Sequence, residues 1–249
     1  MVTYLTIKNI FKIHIFFYIT IFICLITGNI RDYLIFTTII LVHELGHITA
    51  GKIFKWKIKK IILLPFGGLT IFDNPINTSL LEELVVAIMG PIFQTIFFII
   101  INKNFNLTNN IIYYNYTLLL FNLLPIYPLD GSKILYILLC TLLPFKYCIP
   151  IMIFISISTI IIIGIIIGHF DLIIILILSF LLYNCIKLLK NKNNIFNKFL
   201  LERYVYNLKF KNIKKIKTID KMYLWCRHLF HNGKRYISEH EKLSKMFDK

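Results

Sequence analysis

The sequence predicts an all-α polytopic membrane protein with six transmembrane helices, a short membrane-surface β-hairpin and a basic cytoplasmic tail. Hydrophobic residues make up 57% of the 249 residues, and the mean hydropathy is +0.73, which is too apolar for a soluble domain of this length. Apolar runs of helical length recur between short polar loops, as membrane spans require. From Lys187 onward, 17 lysines and arginines stand against 5 acidic residues, which defines the tail.

The N-terminal part predicts two spans followed by the hairpin. Residues 10–27 begin beside Lys8 and Lys12 and lack a small-residue cleavage site, which favours a retained first span over a secretory signal. Residues 33–54 form the second predicted span, which leads into a cluster of lysines. Residues 58–73 combine β-branched residues with a proline and a glycine pair, so they predict a hairpin with Gly67 and Gly68 at its turn. A free edge of such a hairpin can pair with an unwound peptide.

Four further spans are predicted at residues 80–101, 111–127, 149–168 and 172–189. Gly90-Pro91 predicts a kink in the third span, because proline removes a backbone donor. Pro125 and Pro128 predict loosened backbone at the end of the fourth. Residues 191–249 form the predicted tail. Since the lysine-rich segments fall on one side of this topology, the positive-inside rule places both termini in the cytoplasm.

Three ionisable side chains share little more than one helical turn of the second span. They are His43, Glu44 and His47, and placing such groups in hydrocarbon costs about 2.5 to 3.5 kcal/mol each on insertion scales. Histidines at i and i+4 project from one face of a helix and can bind a single zinc ion, with the intervening glutamate beside the attacking water. The pattern predicts His43 and His47 as zinc ligands and Glu44 as general base.

A third ligand is predicted from the topology. Asp130-Gly131, taken alone, is typical of a turn at a helix end. However, His47 lies about 10 Å from the cytoplasmic end of its span, at 1.5 Å per residue, and the span that ends near Asp130 descends to the same face. Two histidines, one carboxylate and an open position make a catalytic zinc site, so we expect one Zn²⁺ per chain.

Three motifs together carry a family resemblance: His43-Glu44-x-x-His47, Gly90-Pro91-x-x-Gln94, and the segment from Asn122 to Gly131, which reads Asn-Leu-Leu-Pro-x-x-Pro-Leu-Asp-Gly. In this order and on these spans, they resemble the site-2 protease family of intramembrane zinc metalloproteases, and are most similar to its stage IV sporulation protein FB branch. The resemblance covers residues 1 to about 190. It implies zinc held by His43, His47 and Asp130, with Glu44 as the base.

The resemblance also implies a substrate and a location. It implies cleavage of the membrane-associated pro-segment of a sporulation pro-sigma factor by a multi-pass protein of the bacterial cell membrane. The family usually has Asn where Gln94 stands. The branch usually carries a cytoplasmic nucleotide-sensing CBS domain, of which residues 213–249 resemble at most a remnant. Substrate-positioning roles are predicted for four residues: Asn122, Gln94, Gly67 and Gly68.

Several alternatives remain open at the level of the sequence. Gln94 and Asn122 are also typical of interhelical hydrogen bonds. A general site-2 protease that cleaves an anti-sigma factor or a signal-peptide remnant is a second function, and a non-catalytic membrane scaffold is a third. Expected partners are a membrane-associated protein substrate, regulatory membrane proteins and anionic lipid at the tail. Nucleic acid is not expected, since no recognition motif accompanies the charge. Five scattered cysteines without a Cys-x-x-Cys pair argue against a disulfide framework.

Overall fold

The computed structural model describes residues 11–64, 67–104, 109–168, 171–206, 208, 210, 212–231 and 235–248. The chain is a helical membrane protein with small β-sheets, and it divides into two compact units. Unit 1 comprises Met1–Asn74 and Leu84–Leu124, and unit 2 comprises Pro75–Glu83 and Pro125–Lys249.

Within these described residues, four helices have the length and apolar composition of membrane spans: Ile30–Ile53, Leu80–Lys103, Phe145–Ile167 and Ile174–Val205. A helix satisfies its backbone groups internally, which is what the hydrocarbon region demands. Phe17–Ile26 is a shorter apolar helix. The six-span topology therefore stays a prediction beyond these four.

Unit 1 combines three strands with four helices. Its elements are β1 (Phe11–Ile13), α1 (Ile15–Ile26), α2 (Ile30–Ile53), β2 (Lys57–Leu64), β3 (Gly67–Asp73), α3 (Leu80–Asn104) from Leu84 onward, and α4 (Asn109–Leu123). Its apolar core gathers buried side chains from α1, α2, β2 and α4, namely Phe17, Tyr33, Ile39, Ile40, Leu63 and Leu118. Helix α2, which carries the zinc-binding pattern, is thus packed on several sides.

The sheet of unit 1 corrects two details of the sequence prediction. β2 pairs antiparallel with β3, as the hairpin prediction requires, but Gly67 and Gly68 lie inside β3 rather than at the turn. β1 pairs parallel with β2, so the first predicted span begins too early and its helix starts at Ile15. The pairing explains this, since β2 satisfies backbone groups of β1 that a helix would otherwise satisfy. β3 forms one edge of the sheet, whose strand order is β1-β2-β3.

Unit 2 begins with the first turn of α3 and resumes after a proline-rich break. Its other elements are α5 (Asp130–Leu142), α6 (Phe145–Ile167), α7 (Leu172–Val205), β4 (Ile213–Ile216), a 3-10 turn (Ile219–Lys221), β5 (Arg227–His231), β6 (Tyr236–Ser238) and α8 (Glu239–Phe247). The fourth predicted span was drawn too long, because α4 ends at Leu123 and α5 begins only at Asp130. Pro125 and Pro128 lie between them, which confirms the predicted loosening of the backbone.

The basic tail contains a folded segment. α7 continues to Val205, well past the predicted end at residue 189. Beyond it, β4 pairs parallel with β5, and β5 pairs antiparallel with β6. An apolar cluster beneath this sheet includes Phe199 and Leu200 of α7 as well as Phe230 and Leu243. Burial of this apolar surface accounts for the fold despite the positive charge.

A buried ionic network fixes this segment to α7. Arg203 donates to the carbonyl oxygens of Cys226 at 3.0 Å and Leu224 at 2.5 Å, and it pairs with Glu239 at 3.4 Å. Burial alone would raise the pKa of Glu239, but the hydrogen bonds from His228 and the charge of Arg203 outweigh burial and hold that pKa below its ordinary value. The carboxylate is therefore stabilised in its charged form.

Candidate metal centre

The two histidines of α2 bring their Nε2 atoms to one point. His43 and His47 are each 2% exposed, and their Nε2 atoms lie 3.1 Å apart. They are four residues apart on one helix, so both rings project from the same face. Their Nδ1 atoms point the other way, to the side-chain oxygen of Gln94 at 2.9 Å for His43 and the carbonyl oxygen of Val86 at 2.8 Å for His47. This is the arrangement of metal-ligating histidines with outer hydrogen-bond partners.

Two glycines make the space for this pair. A Cβ atom on Gly46 would overlap the backbone carbonyl of Met89, so α2 and α3 approach closely only because Gly46 lacks a side chain. A Cβ atom on Gly90 would contact Nε2 of both His43 and His47. Gly90 therefore leaves a small cradle directly in front of the two nitrogen lone pairs. Its position and its two nitrogen donors fit a metal ion.

Glu44 lies on the same turn of α2 and is held by the sheet. Its side chain is 4% exposed, and its Oε2 accepts a hydrogen bond from the Thr70 hydroxyl at 2.5 Å. A Cβ atom on Gly68 would overlap the Glu44 carboxylate. Gly68 and Thr70 are two residues apart on β3, so they present the same face of the strand to Glu44. Gly68 thus allows β3 to approach the predicted base, and the glycine pair lies within the strand instead of making a turn.

Asp130 occupies the first turn of α5 and is 4% exposed. Its Oδ1 pairs with the Lys133 ammonium at 2.8 Å. The role of Asp130 as the third ligand beside His43 and His47 stays a prediction. Two imidazole nitrogens and one carboxylate oxygen are a ligand set of catalytic zinc, which keeps one position open.

The remaining predicted site residues separate into two kinds. Gln94 is fully buried and bonds His43 and Asn115, which bears out the interhelical hydrogen-bond interpretation. Asn122 is 8% exposed in the last turn of α4, and its positioning role stays a prediction. Sequence reasoning missed Thr70 and Asn115. The only signal for Thr70 was its strand spacing from Gly68, and no local pattern singles out Asn115.

Comparison with known proteins points to one family. Residues 33–105 match the model of peptidase family M50. The chain is similar to stage IV sporulation protein FB of Bacillus subtilis, with 39% identity over 150 residues, or 55% of this chain and 51% of that protein. It is also similar to a zinc metalloprotease of Methanocaldococcus jannaschii, with 37% identity over 112 residues, or 41% of this chain and 32% of that protein. In each case, the aligned part spans only about half or less of the relative.

A solved structure agrees with these sequence matches. The site-2 protease from Methanocaldococcus jannaschii superposes with a TM-score of 0.55 at 25% identity, and the match covers 70% of this chain and 88% of that one. The family M50 segment contains α2 from Tyr33 onward, the sheet strands β2 and β3, and all of α3. It therefore includes both histidines, Glu44, Thr70 and Gln94 of the site described above.

Proposed function

We propose that this chain, which carries a peptidase family M50 domain and is a homologue of the site-2 proteases, is an intramembrane zinc metalloprotease. The observation that carries the proposal is the convergence of His43 and His47 in front of Gly90, with Glu44 on the same helical turn. His43, His47 and Asp130 would hold the zinc ion. A bound zinc ion would lower the pKa of water to about 7 and polarise the scissile carbonyl.

Glu44 performs the proton transfers in this proposal. Its carboxylate accepts the proton of the attacking water and later delivers it to the leaving amine. Thr70 donates to one carboxylate oxygen at 2.5 Å, which orients the other oxygen for the transfer. The near-complete burial of Glu44 keeps bulk water out of the reaction and strengthens each of these hydrogen bonds.

The substrate binds in our proposal as an added strand. A helical segment hides its peptide bonds, so it must unwind before hydrolysis. β3 is the edge strand of its sheet, and Gly68 and Thr70 of that strand adjoin the Glu44 side chain. An extended peptide paired with β3 would gain backbone hydrogen bonds close to the catalytic base.

The physiological substrate that we propose is the membrane-associated pro-segment of a sporulation pro-sigma factor. The 39% identity to stage IV sporulation protein FB of Bacillus subtilis supports this choice. The protein would lie in the bacterial cell membrane with six spans and both termini in the cytoplasm, where the basic C-terminal segment meets anionic lipid. A general site-2 protease acting on anti-sigma factors or signal-peptide remnants is the alternative.

Cleavage by the purified chain tests this function. The full chain in phospholipid nanodiscs is mixed with zinc and with candidate pro-sigma, anti-sigma and signal-peptide substrates, and products are identified by mass spectrometry. We expect a new cut in the pro-sigma factor, which Glu44→Gln abolishes while zinc stays bound. Glu241→Gln, the same change at a partly exposed position of α8, is the control. Cleavage of only the other substrates would select the alternative, and undiminished cleavage by Glu44→Gln would remove the mechanism.

A further inference from the structure

We propose that Gln94 and Asn115 form a positioning relay that fixes His43 in the tautomer a zinc ligand requires. The proposal rests on the metal centre of the proposed function but not on its substrate. The relay runs from α2 through α3 to α4, and all three side chains are at most 3% exposed. Its links are hydrogen-bond contacts of 2.9 to 3.1 Å.

The far end of the relay determines how the Gln94 amide is oriented. The Gln94 side chain lies 2.9 Å from the backbone oxygen of Asn115 and 3.1 Å from its side-chain oxygen. A backbone carbonyl only accepts hydrogen bonds. The part of the Gln94 amide that faces this carbonyl must therefore be the NH₂ group, and both of its hydrogen bonds are donated to Asn115. The carbonyl oxygen of Gln94 is consequently the atom that faces His43.

The orientation of this amide determines the state of the histidine. Nδ1 of His43 lies 2.9 Å from that Gln94 oxygen, which has no proton to give. Nδ1 must therefore carry the proton, and in a neutral imidazole Nε2 is then the atom with the lone pair. This lone pair is directed at the cradle in front of Gly90. With the opposite tautomer, two acceptors would face each other in a buried site, which costs about 1–3 kcal/mol.

His47, the neighbouring predicted ligand, also carries its proton on Nδ1, but for a simpler reason. Nδ1 of His47 meets the backbone oxygen of Val86 at 2.8 Å, and this acceptor cannot be removed by a side-chain substitution. His43 depends instead on the Gln94 side chain, which must contact α2 and α4 from its place on α3. The length of Gln94 matters here, since asparagine is shorter by one methylene and could not keep both contacts. Asn115 supplies the acceptors that the longer amide needs.

Metal affinity in Gln94 variants tests the relay. The full chain in detergent micelles is titrated with Zn²⁺ against a chromophoric chelator, and Co²⁺ absorption reports the ligand geometry. Gln94→Met keeps the volume but removes both hydrogen bonds, and we expect its zinc affinity to fall about 10–100-fold. Gln94→Glu can still accept from His43 but loses both donors to Asn115, so its affinity should fall less than that of Gln94→Met. Asn115→Leu retains the backbone acceptor and should cause a smaller loss than Gln94→Met.

Thr95→Val is the matched control. It removes a hydroxyl next to Gln94 that donates to the Pro91 carbonyl within α3, so zinc affinity should not change. Zinc affinity of Gln94→Met within twofold of the unmodified protein would overturn the relay. The result is independent of substrate, because a protein that cleaves nothing still reports its metal affinity.

A measurement on the unmodified protein covers the case in which Gln94→Met does not fold. In the metal-free, ¹⁵N-histidine-labelled chain, the His43 resonances are assigned by their loss in His43→Ala. We expect the proton on Nδ1. A His43 ring without a proton on Nδ1 would overturn the proposal.

Discussion

Replacing Gly90 with alanine should destroy the metal site without unfolding the helix that carries it. An alanine in a helix interior ordinarily stabilises a protein by about 0.5–1 kcal/mol relative to glycine. At this position, the added Cβ would lie 2.8 Å from Nε2 of His43 and closer still to Nε2 of His47. Both rings are held by their Nδ1 hydrogen bonds, so they have little freedom to turn away.

The size of the effect follows from these distances. Ordinary contact with a Cβ atom begins at 3.4 Å, so the His43 ring must retreat by about 0.6 Å, whereas metal–ligand distances tolerate only about ±0.2 Å. The methyl group also fills the space that the ion would occupy. We expect zinc affinity to fall at least about 100-fold, the upper end of the loss seen when an outer partner is removed.

The assay for Gly90→Ala is zinc competition together with thermal melting of the metal-free protein. The melting temperature of the metal-free variant should fall only modestly, because the gain in helix propensity offsets part of the cost of pushing two hydrogen-bonded rings aside. Gly67→Ala is the control, since no atom lies within 4 Å of a Cβ there, and its zinc affinity should match that of the unmodified protein. Zinc binding by Gly90→Ala at unmodified affinity would refute the placement of the metal.

Three further predictions concern the base, the helix contact and the C-terminal segment. Thr70→Val removes the hydrogen bond to Glu44, worth about 1.5–3 kcal/mol for a charged acceptor, so kcat should fall about 10–100-fold with zinc content unchanged. Gly46→Ala forces α2 away from α3 and should lower the free energy of unfolding by about 1–3 kcal/mol, measured by denaturant titration. Glu239 has a folded pKa below its unfolded value of about 4.3, so its stabilisation is present above that pH and is lost as the pH falls through the folded pKa. Hydrogen exchange in the C-terminal segment should accelerate over that acidic range, and Glu239→Gln should abolish the acceleration.

The metal centre could be predicted because its residues violate the pattern around them. His43, Glu44 and His47 interrupt an apolar run at helical spacing. Placing ionisable groups in a membrane segment costs free energy, which makes a functional site the default hypothesis. Asp130 followed from topology, since charge placement defined the side of the membrane on which each span ends. The proline break before Asp130 was also local information, because proline restricts its own backbone.

The residues that support the centre could not be predicted from local patterns. Thr70 and Asn115 act through hydrogen bonds to residues 26 and 21 positions away, and a single polar side chain in a strand or helix does not reveal its partner. Gly67 and Gly68 were assigned to a turn because glycine favours turns, whereas a close approach of Glu44 requires Gly68 within the strand. Strand β1 could not be predicted, because three residues are too few to show the alternation of apolar and polar side chains in a strand.

The fold of the C-terminal segment could not be predicted because charged residues dominate its sequence. Its lysines lie mostly at exposed positions, and its core uses apolar residues spread between Phe199 and Leu243. Neither strand nor helix there is long enough for periodicity to emerge from the charge. The long-range pairing of β4 with β5 and the buried Arg203–Glu239 pair show that the segment is folded, and neither can be recognised in the sequence.

Zinc stoichiometry of Asp130→Ala tests the central claim most directly. The unmodified chain and the variant are purified in detergent, dialysed against a weak chelator, and analysed by elemental mass spectrometry, with Asp171→Ala as the control for loss of an aspartate at an exposed position. Three ligands bind a catalytic zinc ion tightly, and two histidines alone bind it weakly. We expect one zinc ion per unmodified or control chain and little or none in Asp130→Ala. A full zinc ion retained by Asp130→Ala would contradict the three-ligand centre.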